Sequence, residues 1–172
     1  TDLFSLAVLL FYLFHIHHPL EGRKEAAIKC FDLPAMTKLY GTEPLFIFDP
    51  ADDSNRPVPG VHDNALEFWP LYPQFLRDRF IRAFTDGLRD PHERVRESEW
   101  RAALVQLRDA ILYCGQCGAE NFYNGEALRA SGGQPGPCWS CRQPLTLPFR
   151  LRIGRGVVML NHDTQLFPHH LD

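Results

Sequence analysis

A strong net charge, a membrane-length apolar run and the usual nucleotide-binding or nucleophilic motifs are all missing from this 172-residue sequence. Each absence removes a class of function. Eighteen Lys and Arg against 21 Asp and Glu leave a net charge of −3, so no global field draws the chain to nucleic acid or to an anionic membrane. The longest apolar stretch, Leu3–Ile16, would form about 21 Å of helix, well short of a ~30 Å hydrocarbon layer. It also has neither the basic start nor the small-residue cleavage site of a signal peptide. Gly154-Arg155-Gly156 lacks the third glycine and the following helix of a dinucleotide loop. No Ser-His-Asp or Cys-His pattern is supported. The acidic stretch from Asp49 has Ser54 and Gly60 where a calcium loop needs Gly and Glu, and reads as a solvated loop. Cysteine is sparse too, with five in all, yet four of them carry the clearest signal in the chain.

Those four form two pairs, Cys114-Gly-Gln-Cys117 and Cys138-Trp-Ser-Cys141, separated by twenty residues. Each CxxC turn places two thiolates on one side of a tight loop, and two facing turns supply the four soft ligands of a tetrahedral zinc site. Such a set leaves no coordination position for water or substrate, so the zinc would be structural. The alternatives are two disulfides or four reduced thiols. Gly118 suits the turn after the first pair because glycine accepts a positive φ, whereas Arg142 stands at the matching place after the second. Cys30 reads as a packing residue. Between Cys114 and Pro144, Arg129 and Arg142 balance Glu120 and Glu126, and a ribbon that balanced is not expected to bind nucleic acid.

The apolar run Leu3–Ile16 is expected to be the most buried helix of a globular core, capped by Asp2 or Thr1 and ended by Pro19. Phe75, Leu76, Phe80, Ile81, Phe84 and Leu88, then Trp100, Ala103, Leu104, Leu107 and Ile111, recur at helical spacing and predict two amphipathic helices joined by a Pro-containing turn. Asp32–Tyr40 reads as a short helix and Leu45–Phe48 as a strand or buried loop. Phe149–Ile153 and Val157–Leu160 read as strands of a hairpin, with a possible third at Thr164–Phe167. His15, His17 and His18 read as a polar helix end favouring partly protonated imidazole. His162, Asp163, His169, His170 and Asp172 form a looser group without recognised ligand spacing.

Two blocks carry a family resemblance. Asp2-Leu3-Phe4-Ser5-Leu6-Ala7-Val8-Leu9-Leu10 followed by His18-Pro19-Leu20-Glu21-Gly22 resembles the helix F segment of eukaryotic-type protein kinases. Leu76–Trp100, with the turn Asp90-Pro91-His92-Glu93-Arg94, is similar to kinase helix H, the Asp-Pro-x-x-Arg turn and the start of helix I. Val95 and Arg96 depart from the usual Pro and Ser or Thr. The resemblance implies that Asp2 anchors the backbone of a catalytic loop and that Arg94 pairs with a glutamate ending an activation segment. From the residues alone, Asp2 reads as an N-cap and Arg94 as a solvated charge. The Gly-rich loop, ATP-positioning Lys, His-Arg-Asp and Asp-Phe-Gly motifs, which precede helix F in the family, are missing from this sequence.

The expected architecture is therefore α+β: a mainly helical kinase-like C-lobe fragment over 1–112, a zinc ribbon over 113–145 and a short β-segment over 146–172. The layout is similar to that of bacterial serine/threonine kinase-like proteins with C-terminal ribbon and β modules. It implies a cytoplasmic parent that uses ATP and magnesium on a protein substrate, with this fragment inactive alone. A protein-binding module or a pseudokinase scaffold is the alternative, with a protein partner and no membrane span.

Overall fold

The computed structural model describes residues 2–154 and 156–170, and separates into two compact units, Thr1–Trp100 and Arg101–Asp172. The first is built around α1 (Asp2–His15), α4 (Asp63–Phe68) and α5 (Gln74–Phe84), with α1 packed on both of the others. Phe11 is the centre of its core. Its ring meets Phe46, Phe80 and Phe84 edge-on and stacks with His15 at 4.1 Å. Edge-to-face contact sets the ring's positive rim against its neighbour's negative face, adding to the apolar burial. Phe80 passes the aromatic cluster on to Trp100 at 4.9 Å.

Helix α1 corrects an expectation. It buries only Ala7, Phe11 and His15, at the i, i+4, i+8 spacing of one helix face. Leu9, Tyr12, Leu13 and Ile16 form an outward stripe and are 53–68 % exposed. The composition of the run is apolar all round, but the unit covers one side of it. A uniformly apolar sequence carries no periodicity to say which side that is. The helix ends at His15 because Ile16 turns into the left-handed region at φ 49°, three residues before Pro19. A cap from Thr1 lies outside the described residues, and Asp2 occupies the helix's first turn.

The connection to α4 is held by side chains. α2 (Arg23–Ala26) and α3 (Leu33–Thr37) are short, and α3 runs on into a π-turn at Lys38–Thr42. Asp32 caps α3 by accepting from the Ala35 N–H. Leu45–Phe48 is a buried loop, and the 49–60 stretch is anchored by Asn55, which is wholly buried. Asn55 Nδ2 donates to the Leu20 and Leu45 carbonyls, and its Oδ1 accepts from the Lys24 N–H. Gly22 lets this happen: a Cβ there would lie 2.0 Å from the Asn55 carbonyl oxygen.

The predicted helix from Phe75 to Leu88 is interrupted at Thr85, whose hydroxyl donates back to the Ile81 carbonyl, giving α5 and α6 (Asp86–Arg89). After the turn at Pro91–Glu93, α7 (Glu97–Asp109) begins in the first unit and ends in the second. It stops short of the expected end near Leu112. Ile111 and Leu112 instead belong to β1 (Ile111–Tyr113), which pairs antiparallel with β2 (Glu120–Phe122). The β-branched and aromatic ends of Ile-Leu-Tyr favour a pleated strand, and pairing with β2 decides the matter.

The second unit continues through α8 (Gly125–Ala130) to the hairpin β3 (Phe149–Ile153) and β4 (Gly156–Leu160), registered Phe149↔Leu160 through Ile153↔Gly156. The hairpin follows the sequence expectation, although Arg155 at its turn is outside the described residues. Thr164–Phe167 is not a strand. Residues 161–170 instead return along β1 and the end of α7. Asn161 Nδ2 donates to the Ile111 carbonyl, the Tyr113 hydroxyl to Asp163, and His170 Nε2 lies 3.1 Å from Asp109. Those side-chain bonds replace the backbone ladder a third strand would have made.

Candidate metal centre

The two CxxC turns are built to one plan. In the first, the Cys114 N–H donates to the Ala119 carbonyl and the Gly118 N–H to the Cys114 carbonyl, both at 2.9 Å. In the second, the Cys138 N–H donates to the Gln143 carbonyl at 2.8 Å and the Arg142 N–H to the Cys138 carbonyl at 2.9 Å. The residue after each second cysteine is left-handed, Gly118 at φ 75° and Arg142 at φ 61°. So the departure at Arg142 changes the residue and leaves the turn intact. A non-glycine residue there costs on the order of 1 kcal/mol. β1 and β2 carry the first turn, and a bridge between Pro137 and Pro144 closes the base of the second.

All four sulfurs lie within 4.8 Å of one another, with Cys114 to Cys141 at 3.6 Å and Cys117 to Cys138 at 3.7 Å between the turns. A disulfide would require about 2.05 Å. A tetrahedral ion with metal–sulfur bonds of about 2.3 Å would separate the sulfurs by about 3.8 Å. The cluster therefore fits a metal ion at its centre, and Cys114 and Cys138 are buried.

The protons of this cluster are unevenly held. Backbone N–H groups of Cys141 and Ser140, with the Asn121 amide, act on the Cys138 sulfur, and the net effect lowers it to about 6. Cys114 is lowered as well, chiefly by the N–H groups of Cys117 and Gln116. For Cys141, the Gln143 N–H is the largest influence and lowers it. Burial and the three neighbouring thiols outweigh that influence and push Cys141 up to about 12. N–H donors thus favour some thiolates while crowding opposes full ionisation, and a bound cation removes the opposition.

Asn121 is the residue the sequence analysis missed. It is buried on β2 opposite Leu112. Its Nδ2 lies 3.5 Å from Cys138 Sγ and donates to the Ala119 carbonyl, while its Oδ1 accepts from the Trp139 N–H. One amide thus ties the β-hairpin, the first turn and the second turn together, the orienting role outer-sphere groups play around metal ligands. Helix α8, lying in the spacer between the pairs, was also missed. Its signal was Asn124 before Gly125-Glu126, where the Asn124 side chain accepts from the Glu126 and Ala127 N–H groups.

Among the described residues the histidine groups do not form a second centre. Among the described residues only the four cysteines are grouped closely enough to hold a metal. His15 is buried among Phe11, Trp69, Tyr72 and Phe80. Burial lowers it to about 4 against a hydrogen bond to the Phe11 carbonyl that raises it. It is therefore neutral at pH 7, which corrects the expectation of a partly protonated helix end. Burial is also the main cause that lowers His18, with Glu21 acting the other way. The side chain of His169, and Asp172, lie outside the described residues.

Arg94 is half-buried, not freely solvated. Its Nε donates to the Gly87 carbonyl at 3.1 Å, and its guanidinium lies 5.9 Å from the Phe4 ring centroid. Gly87 permits the approach, since a Cβ there would meet Arg94 Cα and Cγ at 3.3 Å. No helix of the described residues is long and apolar enough to cross a membrane. No family model, curated protein or solved structure matches the chain.

Proposed function

We propose that the four thiolates hold one structural zinc ion, and that the helical unit is the helix F-onward part of a kinase-like C-lobe. The parent protein would transfer phosphate from ATP, with magnesium, to serine or threonine of a protein substrate. An all-cysteine donor set with four positions filled leaves no opening for water or substrate, so this zinc fixes the ribbon and takes no part in chemistry. Elemental analysis is expected to give one zinc per chain. Cobalt substitution should give the thiolate-to-metal absorption of a tetrahedral site. Two disulfides in the purified protein would overturn this assignment.

One observation carries the kinase part: the two sequence blocks behind the resemblance, ninety residues apart, meet in the fold through Arg94 and Phe4. The resemblance requires the two blocks to be adjacent, and the packing of α1 on α5 brings them together. In this reading Arg94 is a positioning residue and Asp2 an anchor, both acting on elements the present residues do not include. The reading also requires a cover for the outward stripe of α1, which the catalytic-loop segment of the parent would supply. The rival is a protein-binding module that uses the same stripe, and the stripe's 53–68 % exposure favours that second reading equally.

The test is phosphate incorporation from labelled ATP by the parent polypeptide, read with the sequence ahead of Thr1. Intact His-Arg-Asp and Asp-Phe-Gly motifs with activity that drops on Arg94→Ala would support the enzyme. Degraded motifs without activity would make it a pseudokinase scaffold, and an unrelated sequence there would leave the binding module.

A further inference from the structure

The charge balance of the ribbon ends abruptly at Glu126. From Ala127 to His162 the sequence has no Asp or Glu, while Arg129, Arg142, Arg150, Arg152 and Arg155 all fall within it. This span holds the second cysteine turn and the whole β3–β4 hairpin, and it carries no lysine. The balanced segment is Cys114–Pro144, and the three arginines of the hairpin follow it.

Arg129, Arg142, Arg150 and Arg152 are exposed, and none of the four is in an ion pair among the described residues. Two of the second unit's carboxylates are engaged elsewhere, Asp109 by Arg108 and His170, Asp163 by the Tyr113 hydroxyl. Arg150 and Arg152 are two apart on β3 and so project from one face of the hairpin. Arg150 is held there by Tyr123, its Nη1 donating to the tyrosine hydroxyl and its guanidinium lying 5.9 Å from the ring centroid. One arginine is thereby pre-positioned at the junction of ribbon and hairpin.

Unneutralised like charges so close in sequence repel one another, and a polyanion relieves that cost. Arg150 and Arg152 follow one another along one face of an extended strand, which suits a ligand with repeating charge better than a single phosphate. Guanidinium groups bind phosphate oxygens in bidentate fashion and stack on planar rings, which lysine does not do. We infer that the arginine-bearing face of the β3–β4 hairpin, with Tyr123 and the second cysteine turn, binds single-stranded nucleic acid along its phosphate backbone.

The experiment is fluorescence anisotropy of a labelled 20-nucleotide oligo(dT) with the zinc-loaded full chain at 50 and 200 mM salt. Neutralising about four phosphates predicts a salt slope of about −2.8, hence an affinity loss of about 50-fold between the two conditions. Arg150→Glu with Arg152→Glu is expected to weaken binding more than about tenfold and to roughly halve the slope. Arg150→Gln with Arg152→Gln gives the same direction with a smaller charge change, should the first pair perturb folding. Lys24→Glu with Lys29→Glu, the same charge change in the first unit, should leave affinity within twofold or so. Absence of binding at 50 mM salt, an equal loss in the lysine variant, or equally tight binding of a polyglutamate of the same length would each overturn the assignment.

Discussion

Lowering the pH from 7.5 to 5 should destabilise the helical unit by about 2 kcal/mol through His15 alone. The imidazole is fully buried, its Nδ1 lies 3.0 Å from the Phe11 carbonyl, and its Nε2 has no partner inside the aromatic cage. Charging it there means desolvating an imidazolium, which is why its value falls from 6.5 to about 4. The unfolded chain therefore binds more protons between those values. This group's contribution is complete well above pH 6.5, is lost mainly as the pH falls from 6.5 to 4, and levels off below the folded value near 4. The two values set a ceiling of about 3.4 kcal/mol, of which about 2 is lost by pH 5 and about 3 by pH 4. The assay is urea unfolding followed by fluorescence at pH 7.5, 6, 5 and 4, for the wild type and for His15→Phe. Carboxylates, His18 and the metal-binding thiols also respond to acid, so the quantity to read is wild type minus variant, in which those contributions cancel. Phenylalanine keeps the ring in the cage and removes the orphaned nitrogen. The variant should match the wild type at pH 7.5 within about 1 kcal/mol and exceed it at pH 5. A wild-type-minus-variant difference that stays constant from pH 7.5 to 5 would refute the reasoning.

Removing zinc with a strong chelator should melt the β1–β2 pairing and shift the Trp139 emission while Trp69 and Trp100 stay native, checked by single-tryptophan variants. Arg142→Gly should raise the melting temperature of the zinc-loaded protein by about 2–4 °C, because glycine takes the left-handed turn without strain. Gly118→Ala should lower it by a similar amount, since nothing lies within 4 Å of the new methyl and only backbone strain is added. Gly22→Ala is a harsher change: its Cβ meets backbone, not open space, and a loss of about 2–3 kcal/mol in urea unfolding is expected. Ile16→Asn should stabilise by about 1 kcal/mol, as it relieves a β-branched residue at φ 49°. A loss on that substitution would mean the exposed side chain is packed in solution.

The readable parts of the sequence were those whose signal is local. The CxxC pairs, the hairpin over Phe149–Leu160 and the amphipathic stripe Leu76, Phe80, Phe84 each contain their own period or spacing, and the structure places them accordingly. Asn121 and Asn55 were invisible for the opposite reason. An asparagine looks like a loop residue until three segments converge on its amide, and no single window of sequence contains that convergence.

Sequence alone determined which groups could ionise, ligate or turn. Four thiols in two matched pairs, an arginine-rich span without carboxylates and an apolar run over Leu3–Ile16 without Asp, Glu, Lys or Arg are properties of residue order and need no fold to state. Only the tertiary structure decided what each became. It brought the pairs to within metal-binding distance and set Arg94 over Phe4. It buried His15 deeply enough to hold it neutral, and it left the far side of α1 uncovered. Burial and through-space distance depend on residues far apart in the chain, and those quantities set proton affinity, packing energy and the availability of a surface.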